Sequence, residues 1–446
     1  MGDVEEISCD LVVVGAGPAG SAAALAAARR GASVVLLDAA TFPRDKTCGD
    51  GLTPRAMHAL EQLGVADRIG SGYRNKGLRL HGFGGSVTCP WPDSAFGTQG
   101  SAMRRMDFDA LLFAEASKAP GVRVLVGAPA SQPELRDGRL VALRAGEHRV
   151  KCRAAIVADG VRSSFGKLLG RRWHRDQVYG IAARAYATSP RHAEPWIHSH
   201  LELRDWAAGT PGGKKPPLQP GYGWVFPLGD GQVNIGCGAL STAARPAKVN
   251  TKKLLVSYAA QVDRLRGGGE APWALGALEG VSSALLPMGG AVTGVAGANW
   301  ALIGDAAACV NPLNGEGIDY GLETAQAAVD LLVELGHIGR ERAHPIALTH
   351  AWPQELSDRY GRAFGLARWV ARLLTLPYFL PAAGPVALGS PVAQAVMPVA
   401  ARLMGNVVTE QDTDAVARLW RAGGASLQWA AGQGLWGAGV SAGPWK

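Results

Sequence analysis

The chain has 446 residues, 47% of them hydrophobic and 18% charged, with a formal net charge of +8. That length implies two to three domains of roughly 100–200 residues each, and the apolar content excludes a disordered chain. The basic balance suits anionic cofactors or an anionic lipid face, while the absence of a Lys/Arg-rich run or an RNP-type aromatic motif argues against nucleic acid as a partner.

The start, Met1-Gly2-Asp3-Val4-Glu5-Glu6, is acidic and lacks the basic and apolar parts of a signal peptide, so a cytoplasmic-side location is expected. Residues 11–14 read as a buried parallel strand. A glycine loop follows, then an Ala-rich helix over 21–30, ended by Gly31. Residues 34–37 form the next strand, with Asp38 at its end. Strand, loop, helix and strand within about 30 residues make one βαβ unit. Helices are expected over 53–64 and 107–117, and strands over 122–126 and 154–158. From 179 to 238 the pattern turns to alternating, aromatic-rich strands, the sign of an antiparallel sheet. Residues 210–221 read as an exposed Pro/Gly/Lys-rich loop, 300–303 as a buried strand and 317–335 as a long helix. From about 344 the chain reads as mainly helical. Residues 373–401 carry no charge, a length that could span a bilayer. Pro377, Pro381, Pro385, Pro391 and Pro398 interrupt it, however. A buried helical cap or a membrane-touching surface, flanked by Arg368, Arg372 and Arg402, is favoured over a span.

Six cysteines, Cys9, Cys48, Cys89, Cys152, Cys237 and Cys309, form no C-x-x-C pair. No metal or iron–sulfur framework is visible, and a reducing compartment is expected. Gly15-Ala16-Gly17-Pro18-Ala19-Gly20 has the G-x-G-x-x-G spacing. It allows a tight turn, close approach of a pyrophosphate, and close helix–strand packing. The helix N-terminus behind it favours phosphate, and Asp38 is placed to accept from ribose hydroxyls. The loop marks a nucleotide site without choosing between FAD and NAD.

Two later segments resemble flavoprotein monooxygenases and their relatives: Gly304-Asp305-Ala306-Ala307, and Ala158-Asp159-Gly160 with Ser163 and Gly170. The resemblance implies FAD, with Asp305 on the ribityl chain, Asp159 near the pyrophosphate, and Arg105, four residues before Asp109, as a further contact. Taken singly, the acids could be caps and Arg105 a surface ion pair. Four more segments resemble the geranylgeranyl reductases. They are Pro43-Arg44-Asp45-Lys46-Thr47-Cys48-Gly49-Asp50-Gly51-Leu52, Tyr222-Gly223-Trp224-Val225-Phe226-Pro227, Leu286-Pro287-Met288-Gly289-Gly290, and Asn311-Pro312-Leu313-Asn314-Gly315-Glu316-Gly317-Ile318. With Asp358-Arg359-Tyr360-Gly361 and Leu380-Pro381 the likeness extends to the actinobacterial menaquinone reductases.

That resemblance implies an α/β fold of the glutathione-reductase/p-hydroxybenzoate-hydroxylase type. The expected FAD-binding domain is discontinuous, over 1–75, 100–175 and 285–343. A substrate domain is expected over 76–99 and 176–284, and a helical region over 344–446. The implied FAD site is Gly15, Ala16, Gly17, Pro18, Ala19, Gly20, Asp38, Lys46, Cys48, Gly49, Asp50, Arg105, Ala128, Asp159, Gly160, Asp305, Gly315, Gly317 and Ile318. The implied activity is saturation of an isoprenyl C=C bond, on menaquinone. Such substrates are long and apolar and need an aromatic-lined channel. Tyr222, Trp224 and Phe226 alternate along a strand and so share one face, with Pro227 next to them; the face is either core or channel wall.

Nothing polarises an isolated alkene, so a hydride must reach one carbon as a proton reaches the other. Aromatic faces stabilise developing positive charge by about 1–2 kcal/mol, and the helix beginning near Gly317 could aim its positive end at the flavin. Cys48 could donate the proton, relay it or only shape the site. Asp50 and Glu316 are further carriers or loop-fixing carboxylates, and His58 and His81 read as structural or solvated. No second glycine-rich βαβ unit is present, so electrons come from transient NAD(P)H or from a redox protein such as ferredoxin. The alternatives are a flavin monooxygenase or halogenase on the same fold and a non-enzymatic prenyl-lipid escort protein. The cysteine pattern disfavours an iron–sulfur quinone oxidoreductase.

Overall fold

The computed structural model describes residues 5–70, 72–205, 215–265, 270–339, 348–405, 407–408, 412–430 and 435–437. Within the loop expected over 210–221, residues 210–214 lie outside this set.

Apolar runs make the first sheet. Glu6–Val14 lies between Val34–Leu37 and His148–Val157, all parallel, and Val122–Leu125 extends the sheet past Val34–Leu37. Along its other edge the long strand His148–Val157 serves two partners. Its first half pairs antiparallel with Arg139–Ala145, and its second half pairs parallel with Trp300–Leu302. Ala130–Arg136 and Arg139–Ala145 form a hairpin absent from the expected elements. Its turn is Asp137-Gly138, both at positive φ, a dipeptide that marks hairpins and was legible. Helix Pro18–Arg29 begins within the glycine loop, three residues before the expected start. Proline at the first helical position carries the φ a helix requires and sacrifices no intrahelical bond. This helix packs against Ile318–Glu334 and Arg105–Lys118. Valine, leucine and alanine side chains of the strands and helices form one continuous core.

The second sheet has seven strands in the order Glu279–Pro287, Tyr179–Thr188, Gln232–Ser241, Gly221–Pro227, Ile197–His200, Gly77–Gly82 and Gly85–Pro90. All its pairings are antiparallel except Ile197–His200 with Gly77–Gly82. One face carries Ala183, Ala185, Val225, Val233, Ile235 and Cys237, covered by Leu254, Leu255 and Tyr258 of helix Thr251–Ala259 and by Trp273. The other face carries Tyr222, Trp224 and Phe226 and turns toward the Cys48 loop.

The C-terminal part is helical, with Leu348–Leu374, Phe379–Gly389, Ala393–Met404 and Ala415–Ala430. Among the described residues no single helix is long and apolar enough to cross a membrane. The pair Leu348–Leu374 and Phe379–Gly389 is bent by 107°. Leu388, Ala393, Met397 and Ala401 pack on Leu80, Val87 and Cys89, while Tyr378, Val386, Val392, Val396 and Val399 face outward and are exposed. Near the C-terminus Trp436 is buried, and its Nε1 donates to the Ala307 carbonyl at 2.6 Å.

Candidate functional site

The first βα turn makes a phosphate cradle. Gly15 adopts φ +99°, and a Cβ there would lie 2.5 Å from the Ala158 carbonyl oxygen; only glycine meets both conditions. A Cβ on Gly20 would lie 1.7 Å from the Gly15 carbonyl oxygen, so its absence lets the helix close on the strand. Gly17 caps the helix without a side-chain hydrogen bond, leaving first-turn N–H groups for an anion. Asp38 fixes the turn: Oδ2 accepts from Ala16 N and Oδ1 from Ala40 N, both at 2.8 Å. Ala128 N donates to the Asp38 carbonyl at 2.9 Å, which places Ala128 at the same strand end.

Asp305 and Asp159 also border this turn. Lys46 Nζ donates to Asp305 Oδ2 at 2.8 Å. Burial would raise the Asp305 carboxyl, but the Lys46 ammonium, together with the Arg105 and Arg171 guanidinium groups, offsets it and holds the group below its ordinary value. Asp159 Oδ2 accepts from Phe165 N at 2.8 Å, and its other oxygen is buried without a partner. Burial raises this carboxyl. Glu316 Oε2 and Asp319 Oδ2, at the start of helix Ile318–Glu334, are likewise buried and unpartnered. Burial, and for Glu316 the neighbouring Asp319, pushes both carboxyls up. Gly315 and Gly317 flank Glu316, and a Cβ on Gly317 would lie 2.9 Å from Asp305 Oδ1. A glycine-lined cradle bordered by acceptors without donors fits FAD, whose hydroxyls and ring N–H are donors.

The loop over residues 43–50 ties this cradle to the second sheet. The buried Arg184 side chain pairs with Asp45 and donates to the carbonyls of Lys46 at 3.2 Å and Gly280 at 2.6 Å. Thr47 Oγ1 donates to Ser282 Oγ at 3.0 Å. Asn234 Nδ2 donates to the Cys48 carbonyl and to Asp50 Oδ2, each at 2.8 Å, while its Oδ1 accepts from Trp224 Nε1 at 2.9 Å. A Cβ on Gly49 would lie 2.9 Å from the Phe226 ring, so the loop lies flat on the aromatic face. Tyr222, Trp224 and Phe226 form one row, with neighbouring ring centroids 5.7 and 5.9 Å apart. Gly236 makes room for it, since a Cβ there would lie 2.0 Å from the Trp224 ring. Tyr222 Oη donates to the Asn314 carbonyl at 2.5 Å, joining this row to the Glu316 loop.

Cys48 sits where these parts meet. Burial pushes its thiol up, and Arg105 works in the opposite direction. Asp50 is fully buried. Burial pushes its carboxyl up to about 6, against the pull of Asn234 and of the Arg184 and Arg105 guanidinium groups. Arg105 makes a two-bond ion pair with Asp109 at 2.7 and 2.9 Å. The pair is buried rather than on the surface, and Arg44 joins it, with Nη1 3.1 Å from Asp109. Pro227 closes the aromatic strand. His58 is half-exposed and bonded to Gln62 at 3.0 Å, and His81 is buried on the far face of the second sheet.

The sequence reading named neither Arg184 nor Asn234. The run Ala182-Ala183-Arg184-Ala185 offered a signal, because an arginine amid buried strand positions has to be paired. Asn234, between Val233 and Ile235, offered a weaker one of the same kind.

Residues 8–202 match the FAD binding domain family. The chain is 51% identical over 419 residues to a menaquinone reductase of Mycobacterium tuberculosis, covering 94% of this chain and 96% of that protein. It is 30% identical over 376 residues to digeranylgeranylglycerophospholipid reductase 1 of Methanopyrus kandleri, covering 82% and 90%. Among solved structures, a geranylgeranyl bacteriochlorophyll reductase-like protein of Thermoplasma acidophilum superposes with a TM-score of 0.69. It is 19% identical, and the match covers 93% of this chain and 99% of that one.

Proposed function

The chain belongs to the geranylgeranyl reductase family of FAD-dependent oxidoreductases, and on that premise we propose that it is a menaquinone reductase saturating one isoprenyl C=C bond of the menaquinone side chain. The observation that carries this reading is the Cys48 loop, fastened at once to the FAD cradle through Lys46–Asp305 and to the aromatic row through Asn234 and Phe226. A thiol is thereby held between a cofactor site and an apolar, aromatic wall.

We assign FAD binding to residues 15–20, Asp38, Lys46, Cys48, Gly49, Asp50, Arg105, Ala128, Asp159, Gly160, Asp305, Gly315, Gly317 and Ile318. Reduced FAD, when bound, supplies the hydride. The chain's own residues do the rest. Tyr222, Trp224, Phe226 and Pro227 hold the prenyl chain and exclude water, and their π-faces stabilise positive charge developing on the alkene by about 1–2 kcal/mol. Cys48 is placed to bring the proton.

Electrons reach the site from NAD(P)H or a redox protein. The exposed apolar side chains of Tyr378, Val386, Val392, Val396 and Val399 support contact with a membrane surface, where a prenyl lipid is found; of the flanking cations, Arg402 is spent on Asp412 and Asp414.

Anaerobic enzyme with its flavin chemically reduced, given menaquinone, is expected to yield product heavier by two hydrogens. A parallel arm uses geranylgeranyl diphosphate. Oxygenated product in air, or none with either prenyl compound, would defeat the reading.

A further inference from the structure

Asp50 occupies an unusual position for a carboxylate. It has φ +65°, a left-handed conformation that is strained for a residue with a side chain. Its side chain has no solvent exposure. Oδ2 accepts from Asn234 Nδ2 at 2.8 Å, and Oδ1 accepts from the backbone N–H of Arg105 at 3.2 Å. The Asp50 backbone N–H in turn donates to Cys48 Sγ at 3.3 Å. The carboxyl is thus immobilised one glycine away from the thiol, and the same Asn234 amide grips both residues.

The cations facing Asp50 are already engaged. Arg105, from helix Arg105–Lys118, is held by Asp109 through two bonds. Arg184, from strand Tyr179–Thr188, is paired with Asp45. Tyr186 on that strand, Asn234 and Trp224 on the neighbouring strands, and Cys48 in its own loop are the remaining groups around it, and all are neutral. A carboxylate buried without its own cation favours keeping its proton. Burial accordingly raises Asp50 to about 6.

We propose that Asp50 governs the proton-donating power of Cys48: when Asp50 is protonated the thiol gives up its proton beside a neutral neighbour, and when Asp50 is ionised that transfer is suppressed. This rests on the alkene-reduction reading above and makes Asp50 a positioning residue that acts through Cys48. In the step, the Cys48 S–H bond breaks and a C–H bond forms at one alkene carbon. The hydride, carrying both electrons, comes to the other carbon from the reduced cofactor, which is thereby oxidised. The thiolate is stabilised by the Asp50 N–H and by Arg105, and it recovers a proton from water afterwards.

The sign follows from the direction of the shift. Asp50 is protonated below about pH 6, so the single-turnover rate is high in acid and falls as pH rises through that value. A neighbouring charge moves a pKa by about 1–3 units, and a proton transfer with a Brønsted coefficient of about one half feels roughly half of that, so the step is expected to be roughly tenfold slower at pH 8 than at pH 5.

The test uses full-length, FAD-loaded enzyme, wild type and Asp50→Asn. The flavin is reduced anaerobically and reoxidised by menaquinone in detergent across pH 5–8.5. In parallel, iodoacetamide labelling of Cys48 is followed by mass spectrometry over the same range. The wild-type rate should fall roughly tenfold with rising pH, and Asp50→Asn should abolish that decline. At pH 8 the variant's Cys48 should label several-fold faster, and Asp50→Glu should restore the decline. Superimposable labelling curves overturn the proposal. So does an Asp50→Asn enzyme that keeps its FAD but turns over at no pH, since Asp50 would then be the donor itself. Failure of wild-type enzyme to reduce any prenyl compound counts against the alkene-reduction reading alone, because the labelling comparison judges the Asp50–Cys48 coupling without turnover.

Discussion

The two faces of the seven-stranded sheet come from the same strands and are solved in opposite ways. Along Gly221–Pro227 the residues facing the Cys48 loop are Tyr222, Trp224 and Phe226, whereas Gly223 and Val225 face away. The loop-side face is made of rings, glycines, one amide, the Ser282 hydroxyl and the Arg184 guanidinium, and its polar groups are spent mainly on a neighbouring loop. The far face holds a polar lattice inside an aliphatic core, with His81 Nδ1, His200 Nε2 and Glu270 Oε1 left without hydrogen-bond partners. His81 Nε2 and His198 Nδ1 lie 2.9 Å apart, His198 Nε2 lies 3.2 Å from Glu194, and His200 Nδ1 lies 2.6 Å from Tyr258 Oη. Arg79 and Arg191 reach Glu270 at 3.0 and 3.3 Å, and Arg191 lies over Trp273 at 4.0 Å. The far face stabilises the sheet in one shape, and that shape lets the near face hold Cys48. Mutations on the two faces should therefore separate stability from chemistry.

The largest effect is expected on the far face. Trp273→Ala removes a fully buried ring from over Arg191 and His198, and should cost roughly 3–5 kcal/mol of stability. Urea unfolding measures this. Turnover at a temperature where the variant remains folded should stay near wild type, and a large loss of kcat there would erase the distinction between the faces.

Asn234→Ala is the counterpart on the near face. It frees the Cys48 carbonyl, Asp50 and the Trp224 indole together. Misplacing a reacting group by about 1 Å costs on the order of 100-fold in rate, about 2.7 kcal/mol in the barrier. The expected signature is a fall in kcat at constant FAD content, accompanied by about 1–3 kcal/mol of stability for the stranded polar groups. Unchanged kcat would reduce the near face to ordinary core.

Acid should expose the far face selectively. Burial pushes His81 down to about 3 and His200 well below its ordinary value. A histidine with a depressed folded-state pKa contributes stability that is complete above its unfolded value near 6.5 and is lost as pH falls toward the folded value. The slope is about 1.4 kcal/mol per pH unit for each proton taken up on unfolding. His81→Gln should flatten the pH dependence of the urea midpoint between pH 6 and 3 relative to wild type. Equal slopes would mean that His81 is already charged in the native lattice.

Much of the near face was legible because its signals are local. Gly15, Gly17 and Gly20 announce the cradle by spacing, and the period-two run from Tyr222 to Phe226 announces a ringed face. The relations that make the site specific are not local. Arg184 meets Asp45, and Asn234 meets Cys48, across more than a hundred residues. Such contacts depend on strand register, which no window of sequence contains. The histidine lattice was hidden for the same reason: positions 81, 198 and 200 meet because Ile197–His200 pairs in parallel with Gly77–Gly82. Trp436 was equally unreadable, since nothing in its local sequence marks it off from Trp429 or Trp445 or points to the carbonyl it finds at Ala307.

The smallest effect worth measuring is at Tyr222, where the comparison becomes quantitative. Its ring belongs to the near-face row, and its hydroxyl donates to the Asn314 carbonyl in the loop that carries Glu316. Tyr222→Phe keeps the ring and deletes that bond, so the apolar wall survives while the join between sheet and loop is loosened. A single neutral hydrogen bond contributes roughly 0.5–1.5 kcal/mol, so kcat/KM should fall by about two- to tenfold. If the row acts mainly by binding prenyl chain, the loss should be confined to loop alignment and appear in kcat with little change in KM. A rise in KM alone would mean that the hydroxyl, not the ring, is the part of Tyr222 the substrate meets.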